Sequence, residues 1–135
     1  MISDKYIVTD AYRIEINGQT YAIPKINLEG NNFKRINSEI NIIYSGDEHS
    51  QGIIGNVEDI RNGILPRSSC YNIDYEWGLN GDIISICIEF QFDGGSRNYQ
   101  IYNISRTTGE NVSREDILNY KGWTYEQYAE KVKYA

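Results

Sequence analysis

Metal or nucleophilic chemistry in this chain would have to run through His49, the only histidine among 135 residues. Asp47 and Glu48 stand beside it, and the three side chains together could ligate a cation. Adjacent residues on one loop rarely converge on an ion, and no second histidine or paired cysteine completes a set. A Ser-His-Asp or Cys-His relay would need the same histidine. Cys70 and Cys87 fall in or next to strand-like runs, and no serine sits in a nucleophile-elbow sequence. Asp93-Gly94-Gly95-Ser96-Arg97 is glycine-rich, but it joins two strand-like runs instead of opening a helix. No Gly-Lys-Ser/Thr follows, so it lacks the pattern of a phosphate loop. The 19 acidic residues bring carboxyl groups together by chance alone. An acid–base cleft among them would need two carboxyls in one pocket with raised pKa values. The sequence therefore predicts no enzyme, no metal and no cofactor. Asn103-Ile104-Ser105 and Asn111-Val112-Ser113 match the glycosylation sequon, a triplet common by chance.

The bulk composition limits the partners. A net charge of −6 and a pI near 4.8 repel phosphate backbones, so a nucleic-acid partner is not expected. The same charge favours a basic protein partner. No uncharged stretch approaches the ~20 residues of a membrane-spanning helix. No apolar signal core follows Met1, so the start reads either as that of a cytosolic protein or as a methionine placed before an excised domain. The length fits a single domain over residues 1–135, large enough for one hydrophobic core without disulfide or metal staples. Aromatic residues amount to 12 Tyr, 3 Phe and 2 Trp. Tyrosine suits half-buried sheet faces and binding surfaces alike, because it buries a ring and keeps a polar tip.

Hydrophobic periodicity places the elements. Tyr12 to Ile16 and Thr20 to Ile26 flank Asn17-Gly18, which predicts a β-hairpin. Pro24 has no amide donor, so its strand is expected at an edge or bulged. Gly30-Asn31-Asn32 reads as a turn and helix N-cap. Phe33, Ile36, Ile40, Ile43 and Tyr44 then recur at helical spacing until Ser45-Gly46. An exposed loop, a short helix near Val57 to Arg61 and a connection at Pro66 to Ser69 lead to the strongest strand signals. These are Tyr71-Ile73-Tyr75-Trp77 and Ile84-Ile86-Ile88-Phe90-Phe92, each alternating with polar residues. One apolar face and one mostly polar face predict an antiparallel sheet covered on one side. A turn centred on Asn80-Gly81 sets Tyr75 opposite Ile86, Trp77 opposite Ile84, Cys87 opposite Asp74 and Cys70 opposite Gln91. The sulfurs then share a face but lie about 13 Å apart along the strands, too far for a disulfide. A third strand runs from about Asn98 to Ser105. Helices are expected from Ser113 and over Thr124 to Tyr134. The expected fold is α+β: an antiparallel sheet, made of an N-terminal hairpin and a three-stranded meander, packed on one face by helices.

The stretch Tyr71 to Leu118 carries a resemblance. Tyr71-x-Ile73-x-Tyr75 pairs with Ile83-Ile84-Ser85-Ile86-x-Ile88-x-Phe90-x-Phe92. Gly94-Gly95, Tyr102-Asn103-Ile104, Thr108-Gly109-Glu110 and Glu115-Asp116-Ile117-Leu118 follow in order. Upstream stand Tyr21-Ala22-Ile23-Pro24-Lys25-Ile26 and Ile36-Asn37-Ser38-Glu39-Ile40. This order resembles a domain of unknown function shared by bacterial lysozyme-sensing anti-sigma factors and by the non-catalytic N-terminal region of some peptidoglycan deacetylases. It departs from that pattern at Ser96-Arg97, where the family has a small residue and a histidine. The family also continues past the C-terminal helices into further strands, so a sheet edge is expected to stand open.

The resemblance implies a non-catalytic binding or sensing module, extracytoplasmic or at the cell surface, with lysozyme as one possible basic partner. The alternative is a cytosolic interaction or immunity-type protein that pairs, with itself or a partner, through the open edge. The two cysteines, expected too far apart to form a disulfide, favour that alternative. The binding residues expected are Asp93, Arg97, Tyr99 and Tyr102, on and after the glycine turn.

Overall fold

The computed structural model describes residues 4–46, 52–55, 57–64 and 70–112. After a 3-10 turn at Asp4–Tyr6 come strands β1 (Val8–Ile16) and β2 (Gln19–Ile26). Helices α1 (Asn31–Ser45) and α2 (Val57–Arg61) follow, then strands β3 (Cys70–Asn80), β4 (Ile83–Phe92) and β5 (Arg97–Ser105). His49 with Asp47 and Glu48, the Pro66-to-Ser69 connection, and the helices expected from Ser113 and Thr124 lie outside the described residues.

The five strands form one sheet in the order β1-β2-β3-β4-β5. Asn17 and Gly18 both take positive φ, 53° and 79°, as a two-residue hairpin turn between β1 and β2 requires. The three-stranded meander β3-β4-β5 is antiparallel, as expected. The sheet as a whole is not. β2 and β3 run parallel, joined by one residue pair, Tyr21 and Ile73. The cause is the connection. A chain that leaves a strand, passes through helices and returns beside it arrives in the same direction, whereas a tight turn reverses it. The helical segment between the hairpin and the meander therefore makes the sheet mixed.

The β3–β4 turn also differs by a step. It is centred on Gly81-Asp82, so Tyr75 faces Ile88 and Trp77 faces Ile86. A shift of two residues leaves every β4 side chain on its expected face. The cysteines do not share a face, however. A bulge between Cys70 and Asn72 reverses the alternation at the start of β3. Cys70 joins the main core and Cys87 a small cluster on the other face, with Ile83, Ile101 and Val112. The two cysteines do not form a disulfide.

α1 lays Phe33, Ile36, Ile40 and Tyr44 on the sheet, against Ile23, Ile73, Ile84, Ile86, Ile88 and Ile104. Ile60 of α2 joins the same core. The helix starts after Gly30, with no side-chain cap; Asn32 instead donates to the Thr108 carbonyl at 2.9 Å. That bond holds Gly109 against the helix. A Cβ on Gly109 would lie 2.7 Å from the Asn32 Cβ, and its φ of +76° also favours glycine. The outer sheet face is drier than its polar pattern predicts: Ala22, Ser85, Ile83 and Cys87 are all buried there.

Pro24 sits in an interior strand, not at an edge. It lies just beyond the single pair that links β2 to β3, and a bulge in β1 between Asp10 and Tyr12 starts opposite it. Past that pair β2 has no strand partner on its β3 side among the described residues. At Ile26 the Asn37 side chain of α1 takes that place. Its Oδ1 accepts the Ile26 N–H at 2.8 Å and its Nδ2 donates to the Ile26 carbonyl at 2.9 Å. Asn37→Ala is expected to lose about 2 kcal/mol in urea unfolding, because two backbone groups beside the core lose their partner. Asn37→Asp is expected to lose a comparable amount, since it removes the donor and adds a charge. The Tyr44 hydroxyl is fully buried, with no hydrogen-bond partner among the described residues. Tyr44→Phe is therefore expected to raise stability, by about 1 kcal/mol in the same measurement.

Candidate functional site

The outer sheet face carries a row of side chains across all five strands. Arg13 of β1 pairs with Ala22 of β2. Ala22 follows Tyr21, whose partner is Ile73, and so lies beside Asp74 of β3. Asp74 faces Glu89 of β4, and Glu89 faces Tyr99 of β5. The next row toward the β4–β5 turn holds Asn72, Gln91 and Arg97. Strand alternation makes this possible: each of these residues is out of phase with the isoleucines that face α1.

Hydrogen bonds hold the polar side chains in place. Arg13 reaches both carboxylates near it, Nε to Asp10 at 3.0 Å and Nη2 to Asp74 at 3.3 Å. The Tyr75 hydroxyl donates to Asp10 at 2.7 Å. Glu89 accepts from Gln91 at 3.0 Å and pairs with Arg97 at 3.5 Å. Burial pushes the Asp10 carboxyl up, but the hydrogen bonds from Arg13 and Tyr75 outweigh it and leave the group below its usual value of 3.8. Burial, and then donation to Asp10, push Tyr75 well above an ordinary phenol. At the far end of the sheet, Asp82 also moves down, held by the hydroxyls of Ser105 and Thr107. Both shifted carboxyls thus move in the direction of bonded, ionised groups.

Of the residues expected to bind, Arg97 and Tyr99 come together on the outer face, two positions apart at the start of β5. Asp93 is exposed in the tight turn before them, closed by the Phe92 N–H to the Ser96 carbonyl at 2.9 Å. Tyr102 is separated from these. The strand alternates, so its ring turns to the other face and packs in the core beneath α1, 7% exposed. Its hydroxyl lies 3.4 Å from Glu39 of α1. Sequence reasoning missed Arg13, Asp74 and Glu89. Polar residues at alternate strand positions were visible, but the β2–β3 neighbour relation that aligns them was not.

Tyr102 instead borders a groove of about 260 Å3 between α1 and the outer side of β5. Arg35, Ile36 and Glu39 line it from the helix, Gln100 to Asn103 from the strand, and Asn111 and Val112 from the segment that follows. That segment folds back on β5, bridging Ile104 with Asn111, with the Ser105 N–H on the Glu110 carbonyl and the Val112 N–H on the Asn103 carbonyl. Among the described residues, no group of three or more His, Cys, Asp or Glu side chains could hold a metal ion, and no helix is long and apolar enough to cross a membrane.

In comparisons with known proteins, no family model matches this sequence, and no curated protein or solved structure does.

The bonded Asp10 makes a pH prediction. A carboxyl with a depressed folded pKa contributes stability that is fully present above its unfolded value and is lost as pH falls through the folded value. Stability measured by urea between about pH 5 and about pH 2 should therefore fall less steeply for Asp10→Asn than for the unaltered protein.

Proposed function

We propose that this chain is a non-catalytic binding module of the bacterial cell envelope, similar to the extracytoplasmic domain of lysozyme-sensing anti-sigma factors, with a basic protein as its partner. The observation that carries this reading is the polar row on the outer sheet face, with Asp10, Asp74 and Glu89 presented around Arg13 and Tyr99. Carboxylates outnumber cations there, and the chain's net charge of −6 adds a long-range attraction for a basic protein. A half-exposed tyrosine beside charged side chains is typical of protein interfaces, where aromatic rings supply contact area at low entropic cost. The order of motifs from Tyr71 onward supports the family relation on which lysozyme is named. Asp93, Arg97 and Tyr99 belong to this surface; Tyr102 contributes by anchoring β5 to α1.

A second reading is favoured by one specific observation. β5 is the last strand of the described sheet, and the 110–112 segment covers only its far end. A strand edge is a template for pairing with a further chain, so an interaction protein that pairs through this edge, as a homodimer or with another protein, is the alternative. In that reading the chain works in the cytosol.

Isothermal titration with hen-type lysozyme at low and at physiological salt tests the first reading. The expected result is micromolar or tighter binding that weakens as salt rises. Asp74→Asn with Glu89→Gln should weaken it by roughly tenfold at low salt. Absence of heat at both salt concentrations overturns lysozyme as the partner. A concentration-dependent dimer in sedimentation would then favour the edge-pairing reading.

A further inference from the structure

The groove between α1 and β5 is distinct from the outer face proposed to meet a protein. Its lining combines opposite charges that do not neutralise each other. Arg35 and Glu39 sit one helical turn apart, at a spacing where such side chains commonly pair. Here no ion pair joins them. Both border the groove, and the Glu39 carboxylate accepts from the Tyr102 hydroxyl at 3.4 Å. Tyr102 is held in the phenol form: burial, and then the nearby Glu39 carboxylate, push its pKa up to about 12. Like any phenol it is protonated at neutral pH, so its hydroxyl can donate to Glu39. The carboxamide residues Gln100, Asn103 and Asn111 add to the polar lining, and each can donate as well as accept.

The volume restricts the ligand. About 260 Å3 is the liquid share of on the order of nine waters, less than the pockets that enclose drug-sized molecules. A guanidinium recognises a carboxylate through two parallel N–H donors, and a carboxylate recognises an ammonium group. A small molecule that carries both charged groups on one carbon can satisfy both walls at once.

We infer that this groove is a binding site for a small zwitterion of the free α-amino-acid class, with Arg35 on the ligand carboxylate, Glu39 on its ammonium group, and Tyr102 holding Glu39 in position. The wall is stiff where it matters. Ile36 and Tyr102 are anchored in the core, and Asn32 and Gly109 tie the start of α1 to the chain just after β5. The charged groups, by contrast, lie on the exposed flank of the helix, so their replacement leaves the core untouched.

The test is a two-dimensional amide NMR titration of the full chain with glycine and with alanine. Acetylated alanine, which lacks the cation, and alanine amide, which lacks the anion, serve as controls. Saturable shifts confined to Arg35, Glu39, Gln100 to Asn103 and Asn111 are expected, at ligand concentrations on the order of millimolar. Both controls should bind at least about tenfold more weakly, as should Arg35→Gln and Glu39→Gln, whose spectra otherwise stay folded. Tyr102→Phe keeps the ring in the core and should weaken binding less than Glu39→Gln does. Non-saturable shifts, shifts elsewhere on the molecule, or equal response to the blocked controls overturn the proposal. None of these outcomes depends on lysozyme binding, which is read separately.

Discussion

The seam between β2 and β3 is the constraint on which this sheet depends. Two antiparallel units, a hairpin and a meander, meet there through a single parallel residue pair, Tyr21 and Ile73. A ladder that short cannot hold two units in register, so side chains take over what backbone would otherwise do. The Thr20 N–H donates to the Asn72 side chain at 3.1 Å, and the Tyr21 hydroxyl to the Cys70 carbonyl at 3.2 Å. Arg13 and Tyr75 tie Asp10 and Asp74 across the same gap. Asn37 closes the open end at Ile26. Beneath these bonds α1 spans the seam, with its four buried side chains in one cluster with isoleucines of both units.

This arrangement joins stability to the surface. The side chains that bridge the seam are the same ones that make the outer face polar. Asp10, Arg13 and Asp74 are exposed enough for each ion pair to contribute little by itself. Their joint effect is geometric, since they hold the hairpin beside the meander and so align Arg13 with Asp74, Glu89 and Tyr99. A partner seated on that row would read the relative position of the two units. At the other edge, β5 is fastened by Tyr102 in the core and by the 110–112 segment outside, and the groove lies where these two attachments meet.

Much of the local structure was legible in the chain itself. Asn17-Gly18 set the first hairpin, because a two-residue turn needs two positive φ values that few other pairs supply. The spacing of Phe33, Ile36, Ile40 and Tyr44 made a helix with one buried face, and the strict alternation in β3, β4 and β5 assigned each side chain its side of the sheet. Even with the turn placed one residue early, the β4 faces came out right, since the register moved by two and the period of a strand is two.

What the tertiary structure alone decided were relations between elements distant in sequence. Whether β3 lies parallel to β2 depends on where the helical crossover returns, and no residue in either strand encodes that. The bulge after Cys70 reverses one side chain without any glycine or proline to announce it. Asp93, Arg97, Tyr99 and Tyr102 follow one another along the chain, yet alternation sends Tyr102 to the core while the crossover brings Arg13 and Asp74 into line with Tyr99. Periodicity acts between neighbours and is written in the sequence. The pairing of strands across the seam depends on how two buried faces share one helix, and only the folded chain brings those faces together.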